Sequence, residues 1–245
     1  MKNYSNFTWE ELQTLDHSKA LIILPVGSTE QHGPHLPVAT DSLTAEYLAE
    51  LVAEKETDLS VLVAPSFRYT YAKPAMIFPG TITVEGETLV KLARDVLRSF
   101  LLQGFRKMMI MNAHMENTDF LIEGISTALQ DYRDSKIILC NWWELVSEEA
   151  VREIFGSEWK GWVDEHAAVV ETSIMLQIAP DLVSIQKAVD GRRRSKLEFR
   201  IFPWDAARFP ASGIFSETKG AAAEKGMRLL ELVSDQALSL IKSEF

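Results

Sequence analysis

The stretch that decides the fold reads ALIILPVGSTEQHGPHLPVATD and runs from residue 20 to residue 41. Its first eight residues are almost all apolar, and their number and composition predict a buried strand. A turn rich in glycine and proline follows, and helical periodicity begins at residue 42. His32 and His35, two of the chain's five histidines, lie in this turn. The stretch therefore joins a strand to a helix through a turn that carries ionisable side chains.

Strand and helix signals alternate along the rest of the chain. The patterns predict further strands at 60–65, 107–112 and 136–142, and helices at 42–56, 86–104, 117–132, 165–179 and the C-terminus. Thr8 and Glu11 form a capping-box pattern, which predicts a short first helix. This alternation indicates a mostly parallel sheet with helices on both faces. The predicted fold class is thus three-layer α/β/α, in one domain over residues 1–245.

Residues 190–216 form the least regular part of the chain. We predict a surface excursion within the domain that could contact another subunit. It begins with the one basic run, Arg192-Arg193-Arg194, for which a solvated loop is the preferred interpretation.

Charge and cysteine content exclude several classes of protein. The 245 residues carry a net charge of −10, which repels phosphate backbones and argues against nucleic-acid binding. Cys140 is the only cysteine, so no intramolecular disulfide can form, as in a reducing compartment. Residues 1–11 lack the apolar core of a signal peptide, and no apolar run approaches the ~20 residues of a membrane span. We expect a cytoplasmic protein that does not bind membranes.

Carboxylates and imidazoles follow two of the predicted strands. Glu30 and His32 come after the first strand, and His114 and Glu116 after the third. In open α/β sheets the ligand site lies beyond the carboxyl ends of the strands. Side chains two residues apart in extended backbone point to the same side, so each pair is a candidate chelating pair. Asp41, at the start of the next helix, can point over the same crevice.

Five nitrogen and oxygen ligands without a thiolate favour Zn²⁺ or Mn²⁺. An aspartate commonly bridges two metal ions ~3.5–4 Å apart. The alternative is that each histidine is an ordinary surface or core residue, which is the usual case for a lone histidine at a strand end. Two pairs and an aspartate together favour a metal site. His35 is out of phase with the first pair, and we assign it to a supporting or structural role.

A second ionisable group lies at the start of the helix predicted at 165–179. His166 is the only histidine in the second half of the chain, and its reference pKa near 6.5 suits a general acid or base. Asp164 could simply be an N-cap. Glu171 lies inside an otherwise apolar helix, where an unpaired carboxylate is costly. It therefore needs a metal, a histidine or backbone N–H groups as its partner.

Four motifs resemble the creatininase (creatinine amidohydrolase) family in their order along the chain. They read LPVGSTEQHGPHLPVATD, FPGTITVEGETL, MNAHMENTDFLIEGI and GWVDEHAAVVETSIML. The resemblance covers essentially the whole chain. It implies an α/β/α domain in a homohexamer, two divalent metal ions (Zn and/or Mn) per subunit, and hydrolysis of a non-peptide C–N bond, often in a cyclic amide.

The resemblance also implies a set of metal ligands. Glu30 and His114 would bind one metal ion, and His32 and Glu116 the other. Asp41 would bridge the two ions.

Further roles follow from the same resemblance. Glu165 and His166 match the acid/base pair of the family, and Glu171 matches a glutamate in or next to the site. Trp143 and Trp162 match two tryptophans that close over creatinine. Without the resemblance, core packing is an equal interpretation of each tryptophan.

Three departures from the family pattern concern the substrate. Met115 replaces an aromatic residue that packs there, and Ala113 replaces a glycine before the histidine. The loop at 69–80 is shorter than in creatininase and lacks a serine expected near the substrate.

The predicted reaction is the hydrolysis of creatinine to creatine. A water molecule between the metal ions would attack the carbonyl carbon, with Glu116 or Glu165 holding or deprotonating it, while His166 protonates the departing nitrogen. Another small amide, such as a formamide or a hydantoin-like ring, is the alternative substrate. A scaffold protein that kept the fold is disfavoured, because a scaffold has no need for a proton shuttle.

Overall fold

The computed structural model describes residues 2–191 and 209–245. Its sheet consists of four strands: β1 (Ala20–Val26), β2 (Ser60–Val63), β3 (Lys107–Asn112) and β4 (Lys136–Asn141). The strand order is β2-β1-β3-β4, and each neighbouring pair is parallel. The predicted parallel sheet is therefore confirmed, with strand boundaries that differ from the predicted ones by no more than two residues.

Among the described residues the α-helices are α1 (Trp9–Thr14), α2 (Thr40–Lys55), α3 (Gly86–Leu102), α4 (Thr118–Ala128), α5 (Glu148–Phe155), α6 (Val169–Ile178) and α7 (Ala223–Glu244). The predicted capping box precedes α1: the Glu11 N–H donates to Thr8 Oγ1, and the Thr8 N–H donates to Glu11 Oε2. Helix α5 is absent from the predictions. Its local signals are Ser147, whose hydroxyl accepts the N–H of Ala150 at 3.2 Å, and Gly156, which ends the helix with φ +66°.

Successive residues of the strands enter opposite cores, as the strand period of two requires. Leu21 and Ile23 of β1 pack with α2, α5, α6 and α7, whereas Ile22 and Leu24 pack with α3 and α4. All seven residues of β1 are buried, because helices cover both faces of the sheet. The three-layer α/β/α prediction is thus confirmed.

The strand order brings the two candidate ligand segments together. Strand β1 lies between β2 and β3. The connection after β1 leads to its neighbour on one side, β2, and the connection after β2 leads to its neighbour on the other side, β3. Val26, the last residue of β1, is in register with Asn112, the last residue of β3. Ligands of open α/β sheets bind at such a switch point, beyond the carboxyl ends of the two strands. The loops that carry Glu30 and His114 begin there.

Within the described residues, no helix combines the length and the apolar composition that a membrane crossing requires. The predicted basic loop Arg192-Arg193-Arg194 lies outside those residues, as does most of the predicted excursion at 190–216.

Candidate metal centre

One buried carboxylate joins two histidines beyond the ends of β1 and β3. Asp41, in the first turn of α2, places Oδ1 3.0 Å from Nε2 of His32 and Oδ2 3.0 Å from Nδ1 of His114. The hydroxyl of Ser28 donates to Oδ2 at 2.8 Å and helps to orient the carboxylate. Each oxygen of Asp41 therefore faces a different imidazole, as in a carboxylate that bridges two metal ions.

Backbone carbonyls fix the tautomers of both histidines. Nδ1 of His32 lies 3.2 Å from the carbonyl oxygen of Glu30, and Nε2 of His114 lies 2.9 Å from the carbonyl oxygen of Tyr71. A neutral imidazole that donates from one nitrogen keeps a lone pair on the other. The lone pairs of His32 Nε2 and His114 Nδ1 then face Asp41, which is the arrangement found in histidines that bind metals.

Nε2 of His32 shows most clearly that the cluster suits a cation. This nitrogen is fully buried and lies 3.0 Å from Asp41, yet the geometry is not that of a hydrogen bond, and it has no hydrogen-bond partner among the described residues. A buried polar atom without a partner is costly. An imidazole lone pair next to carboxylates satisfies the donor chemistry of Zn²⁺ or Mn²⁺, so the residues fit a divalent metal ion.

The pKa shifts of His32, His114 and Asp41 also indicate that the cluster stabilises positive charge. Burial alone would lower the pKa of His32, but the charges of Asp41 and Glu171 outweigh it and raise that pKa well above its usual value. Burial likewise opposes protonation of His114, and the carboxylate of Glu30 is the largest influence that raises its pKa. Burial would raise the pKa of Asp41, and the two histidines hold it far below its usual range. The carboxylates stabilise a cation here, which can be a proton or a metal ion.

Two groups of three ligand atoms share Asp41. One consists of Glu30, Asp41 and His114, and the other of His32, Asp41 and Glu171; in each group all ligand atoms lie within 4.8 Å of one another. Oε1 of Glu30 is 3.3 Å from Nδ1 of His114, and Oε2 of Glu171 is 3.6 Å from Nε2 of His32. Two ions on either side of Asp41 would each find three protein ligands.

Glu116 does not lie beside His32 as the resemblance implied. Its Oε2 is 3.5 Å from Nε2 of His114, the nitrogen on the far side of that ring from Asp41, and its side chain is 42% exposed. The prediction that His114 and Glu116 form a chelating pair assumed extended backbone, but Met115–Asn117 form a 3₁₀ turn, which breaks the alternation of side chains. Glu171, which matches a family glutamate in or next to the site, occupies the position beside His32. A role of Glu116 as a ligand stays a prediction.

Glu165 lies at the N-terminus of α6. Its Oε1 accepts the N–H groups of Val170 at 2.8 Å and Glu171 at 3.3 Å, so it satisfies donors that the first turn of the helix leaves free. Burial, and next the charge of Glu171, raise the pKa of Glu165 well above its usual value. Helix α6 consequently starts at residue 169 and not at 165, because residues 165–168 form the connection that this carboxylate braces.

His166 lies against the same cluster. Its ring centroid is 4.5 Å from that of His32, and its Nδ1 is 3.7 Å from Oε1 of Glu30. Burial, and next the charge of His32, lower the pKa of His166 well below its usual value, so the imidazole is neutral. The next residue, Ala167, has φ +53°, a conformation that costs a non-glycine residue about 1–3 kcal/mol and is common at functional sites.

The predicted substrate residues lie in two places. Trp143 and Trp162 both pack edge-on against Trp142, with ring centroids 6.1 and 5.4 Å away, in an aromatic cluster that follows β4. Met115 stands between His114 and Glu116 and is 47% exposed. A contact of these side chains with substrate stays a prediction.

Two residues of the site were missed by the sequence analysis. The hydroxyl of Ser28 donates to Asp41, and the side-chain amide of Gln31 contacts His166. Both lie in the opening motif, but neither carries an ionisable group. Their nearness to Glu30 and His32 in the sequence was the one signal that could have identified them.

The chain matches a known family along nearly its whole length. The family model for Creatininase, described as creatinine amidohydrolase, matches residues 5–241. The chain belongs to the creatininase family. It is thus an amidohydrolase of that family, as the sequence motifs predicted.

Relatives within the creatininase family differ in substrate. A creatinine amidohydrolase of Pseudomonas putida is 34% identical over 97% of this chain and 95% of its own length. A mycofactocin precursor peptide peptidase of Mycolicibacterium smegmatis is 29% identical over 85% of this chain and 79% of its own length.

Solved creatininase structures share the whole fold. A mutant creatininase complexed with creatine superposes with a TM-score of 0.91 at 33% identity and covers 100% of this chain and 98% of its own. A structure described as creatininase Mn has a TM-score of 0.92 at 33% identity, with coverage of 100% and 98%. A mutant of the Zn-Zn type has a TM-score of 0.91 at 33% identity, with coverage of 99% and 97%. These metals are those that the nitrogen and oxygen donors of this chain favour.

Proposed function

We propose that this chain hydrolyses creatinine to creatine at a centre of two divalent metal ions, Zn²⁺ or Mn²⁺. The observation that carries the proposal is the position of Asp41, whose two oxygens each lie 3.0 Å from the free nitrogen of a different histidine. Glu30 with His114 would complete one position, and Glu171 with His32 the other. A relative that is a creatinine amidohydrolase, and a close structural relative that is complexed with creatine, support the choice of substrate.

The charge of the cluster suits two divalent ions. Glu30, Asp41 and Glu171 supply three carboxylates around His32 and His114, and these carboxylates offset most of the charge of two divalent ions once both imidazoles are neutral. When bound, such ions lower the pKa of a water molecule and polarise a carbonyl oxygen. The protein's part is to hold these ligands rigidly at the switch point of the sheet.

The protein side chains would move two protons. In the reaction a water molecule adds to the carbonyl carbon, the ring C–N bond breaks, and the nitrogen leaves with a proton. We assign the proton of the water to Glu116 and not to Glu165, because the N–H groups of Val170 and Glu171 engage Glu165. His166, beside Glu30, would donate the proton to the leaving nitrogen.

An aromatic wall would select a flat ring. Trp143 and Trp162 belong to one cluster with Trp142, and tryptophan faces attract flat and partly cationic groups such as the guanidinium-like ring of creatinine. We propose that Trp143 and Trp162 contact the substrate, together with Met115.

The proposal is tested by assaying metal-free protein with creatinine before and after addition of Mn²⁺ or Zn²⁺. We expect creatine to form only after metal is added. The variant Glu116→Gln should retain the metal and lose activity if Glu116 handles the proton of the water. Absence of creatine with either metal, in protein that binds two ions per chain, would reject creatinine as the substrate and leave the metal centre intact.

A second small amide is the alternative substrate. Met115 in place of an aromatic residue, and the short loop at 69–80, alter the region where the family contacts the substrate, and relatives in the family act on other molecules. A panel of creatinine, hydantoins and formylamino compounds separates the two candidates by kcat/KM. We also expect the homohexamer that the resemblance implies, and a cytoplasmic location, as the single cysteine predicts; light scattering of the purified protein tests the oligomeric state.

A further inference from the structure

The side-chain amide of Gln31 lies between three partners in the buried turn after β1. Its Oε1 accepts the N–H of Gly33 at 2.9 Å, and its Nε2 donates to the carbonyl oxygen of Gly213 at 3.0 Å. A third contact joins Nε2 of Gln31 to Nε2 of His166 at 2.8 Å. Gln31 is 6% exposed, so these protein groups, and not solvent, determine how the amide is oriented.

The two backbone partners allow only one orientation of the amide. If the oxygen and nitrogen of Gln31 were exchanged, the oxygen would face the carbonyl of Gly213 and the NH₂ group would face the N–H of Gly33. Both contacts would then be repulsive, whereas both are hydrogen bonds in the observed orientation. The amide therefore presents its second hydrogen to Nε2 of His166.

This hydrogen determines which nitrogen of His166 carries the proton. Nε2 of His166 also lies 3.1 Å from the main-chain oxygen of Gln31, to which a protonated Nε2 could donate. A protonated Nε2 would, however, direct its hydrogen at a side-chain N–H group 2.8 Å away, and two facing donors repel. Nε2 consequently accepts the hydrogen bond, and the proton of the neutral ring lies on Nδ1.

The segment 213–215 holds both the amide of Gln31 and the ring of His166 in place. A Cβ on Gly213, where φ is +74°, would lie 1.9 Å from Oε1 of Gln31, so only glycine leaves room for the amide. Two residues later, the N–H of Phe215 donates to the carbonyl oxygen of His166 at 3.1 Å, and the two rings pack with centroids 4.8 Å apart. One short segment thus positions the amide of Gln31 and the ring of His166 against each other.

We infer that Gln31 is a positioning residue that keeps His166 in the tautomer with the proton on Nδ1. Nδ1 lies 3.7 Å from Oε1 of Glu30, on the side of the ligand cluster. A protonated Nδ1 has no lone pair, so His166 does not bind a metal there, although Glu30, His32 and His166 lie close enough together to form a three-ligand group. Nδ1 would then give its proton to the leaving nitrogen, and the proton that Glu116 takes from the water would return to Nδ1, so that the ring ends neutral as it began. This last step rests on the proposed amide hydrolysis, whereas the tautomer does not.

Neutron diffraction from deuterium-exchanged crystals of the zinc-loaded protein tests the tautomer without reference to activity. We expect a deuteron on Nδ1 of His166 and none on Nε2, and we expect the ND₂ group of Gln31 to face Nε2. A deuteron on Nε2 directed at the main-chain oxygen of Gln31, or a zinc ion on Nδ1, would overturn the inference.

Kinetics of matched variants test the consequence. Gln31→Met keeps the length of the side chain and removes the donor, and Gln31→Glu places an acceptor opposite Nε2, which favours the other tautomer. We expect kcat to fall about 10- to 100-fold in both, as for other residues that orient a functional histidine, with KM and zinc content nearly unchanged. Gly213→Ala should act similarly because its Cβ displaces the amide.

Thr81→Val is the matched control. Its hydroxyl accepts the main-chain N–H of Gln31 at 3.1 Å, so the variant perturbs the same turn and leaves the amide intact; kcat should stay within about threefold. Full kcat in folded Gln31→Met would contradict the inference. If the wild-type protein hydrolyses none of the amides tested, the proposed function fails, and the neutron map still decides the tautomer.

Discussion

The variant Asp41→Asn perturbs the proposed centre at its shared ligand. Asparagine has the size of aspartate, but it carries an NH₂ group in place of one oxygen and no charge. Asp41 Oδ1 lies 3.0 Å from Nε2 of His32, and Oδ2 lies 3.0 Å from Nδ1 of His114. One position therefore loses a ligand atom, and both lose half of a shared negative charge.

The size of the effect follows from this sharing. Loss of a residue that only supports a metal ligand lowers affinity about 10- to 100-fold. Loss of the ligand itself should exceed this range, so we expect both ions to bind at least about 100-fold more weakly, or about 2.7 kcal/mol each. Glu30→Gln and Glu171→Gln each alter one group, so each should weaken one ion only. Ser28→Ala removes the hydroxyl that donates to Asp41 at 2.8 Å, and about a tenfold loss is expected.

Metal content per chain after dialysis against buffered Zn²⁺ measures these differences, and competition with a chromophoric chelator gives the affinities. Circular dichroism shows whether each variant is folded. Two tightly bound ions in Asp41→Asn would refute the bridging geometry. Loss of both ions in Glu171→Gln would refute the assignment of Glu171 to one position.

Three other predictions concern pH, proton transfer and the opening turn. Because nearby carboxylates raise the pKa of His32 and His114 in the folded state, these groups stabilise the metal-free protein below their unfolded pKa near 6.5, and this stability is lost as pH rises through the higher folded pKa. The thermal unfolding midpoint of chelator-treated protein should therefore fall as pH rises above ~6.5. Zinc should raise this midpoint more at higher pH, because fewer protons then compete for its ligands. A midpoint of the metal-free protein that rises with pH would contradict this. His166→Ala should lower kcat about 10²- to 10⁴-fold at unchanged metal content, and full activity in a stopped assay would reject the proton-donor role. Gly33→Ala should lower the free energy of unfolding by about 1–3 kcal/mol in urea titrations, because φ is +66° and its Cβ would lie 2.6 Å from Cγ1 of Ile214; an unchanged midpoint would contradict the steric argument.

The sheet could be predicted from the sequence because each strand is a short apolar run of the right length. Residues 20–26 are buried on both faces of the sheet. Such a strand is apolar throughout, and this composition distinguishes it from an amphipathic helix. Helix α5 escaped prediction because it has eight residues and follows the tryptophan-rich end of β4 without a break of glycine or proline. The start of α6 was placed four residues early, because its first turn is replaced by the connection that Glu165 braces.

The ligand set could be predicted only in part. Glu30, His32 and Asp41 are close in sequence, and the strand-end rule brings His114 to them. The place of Glu171 beside His32 depends on how α6 packs over the sheet, and no local pattern gives that distance. The place of Glu116 depends on a 3₁₀ turn at 115–117, which spacing alone does not distinguish from extended backbone. Resemblance to the family supplied these residues and paired Glu30 with His114 and Glu116 with His32; in the structure Glu30 lies beside His114 and Glu171 lies beside His32.

Titration of the metal-free protein with Mn²⁺, followed by creatine formation from creatinine, tests the central claim most directly. We predict no activity without metal and a plateau at two equivalents of Mn²⁺ per chain. Creatine formation that is undiminished in metal-free protein, or a plateau at one equivalent, would contradict a catalytic centre of two ions bridged by Asp41.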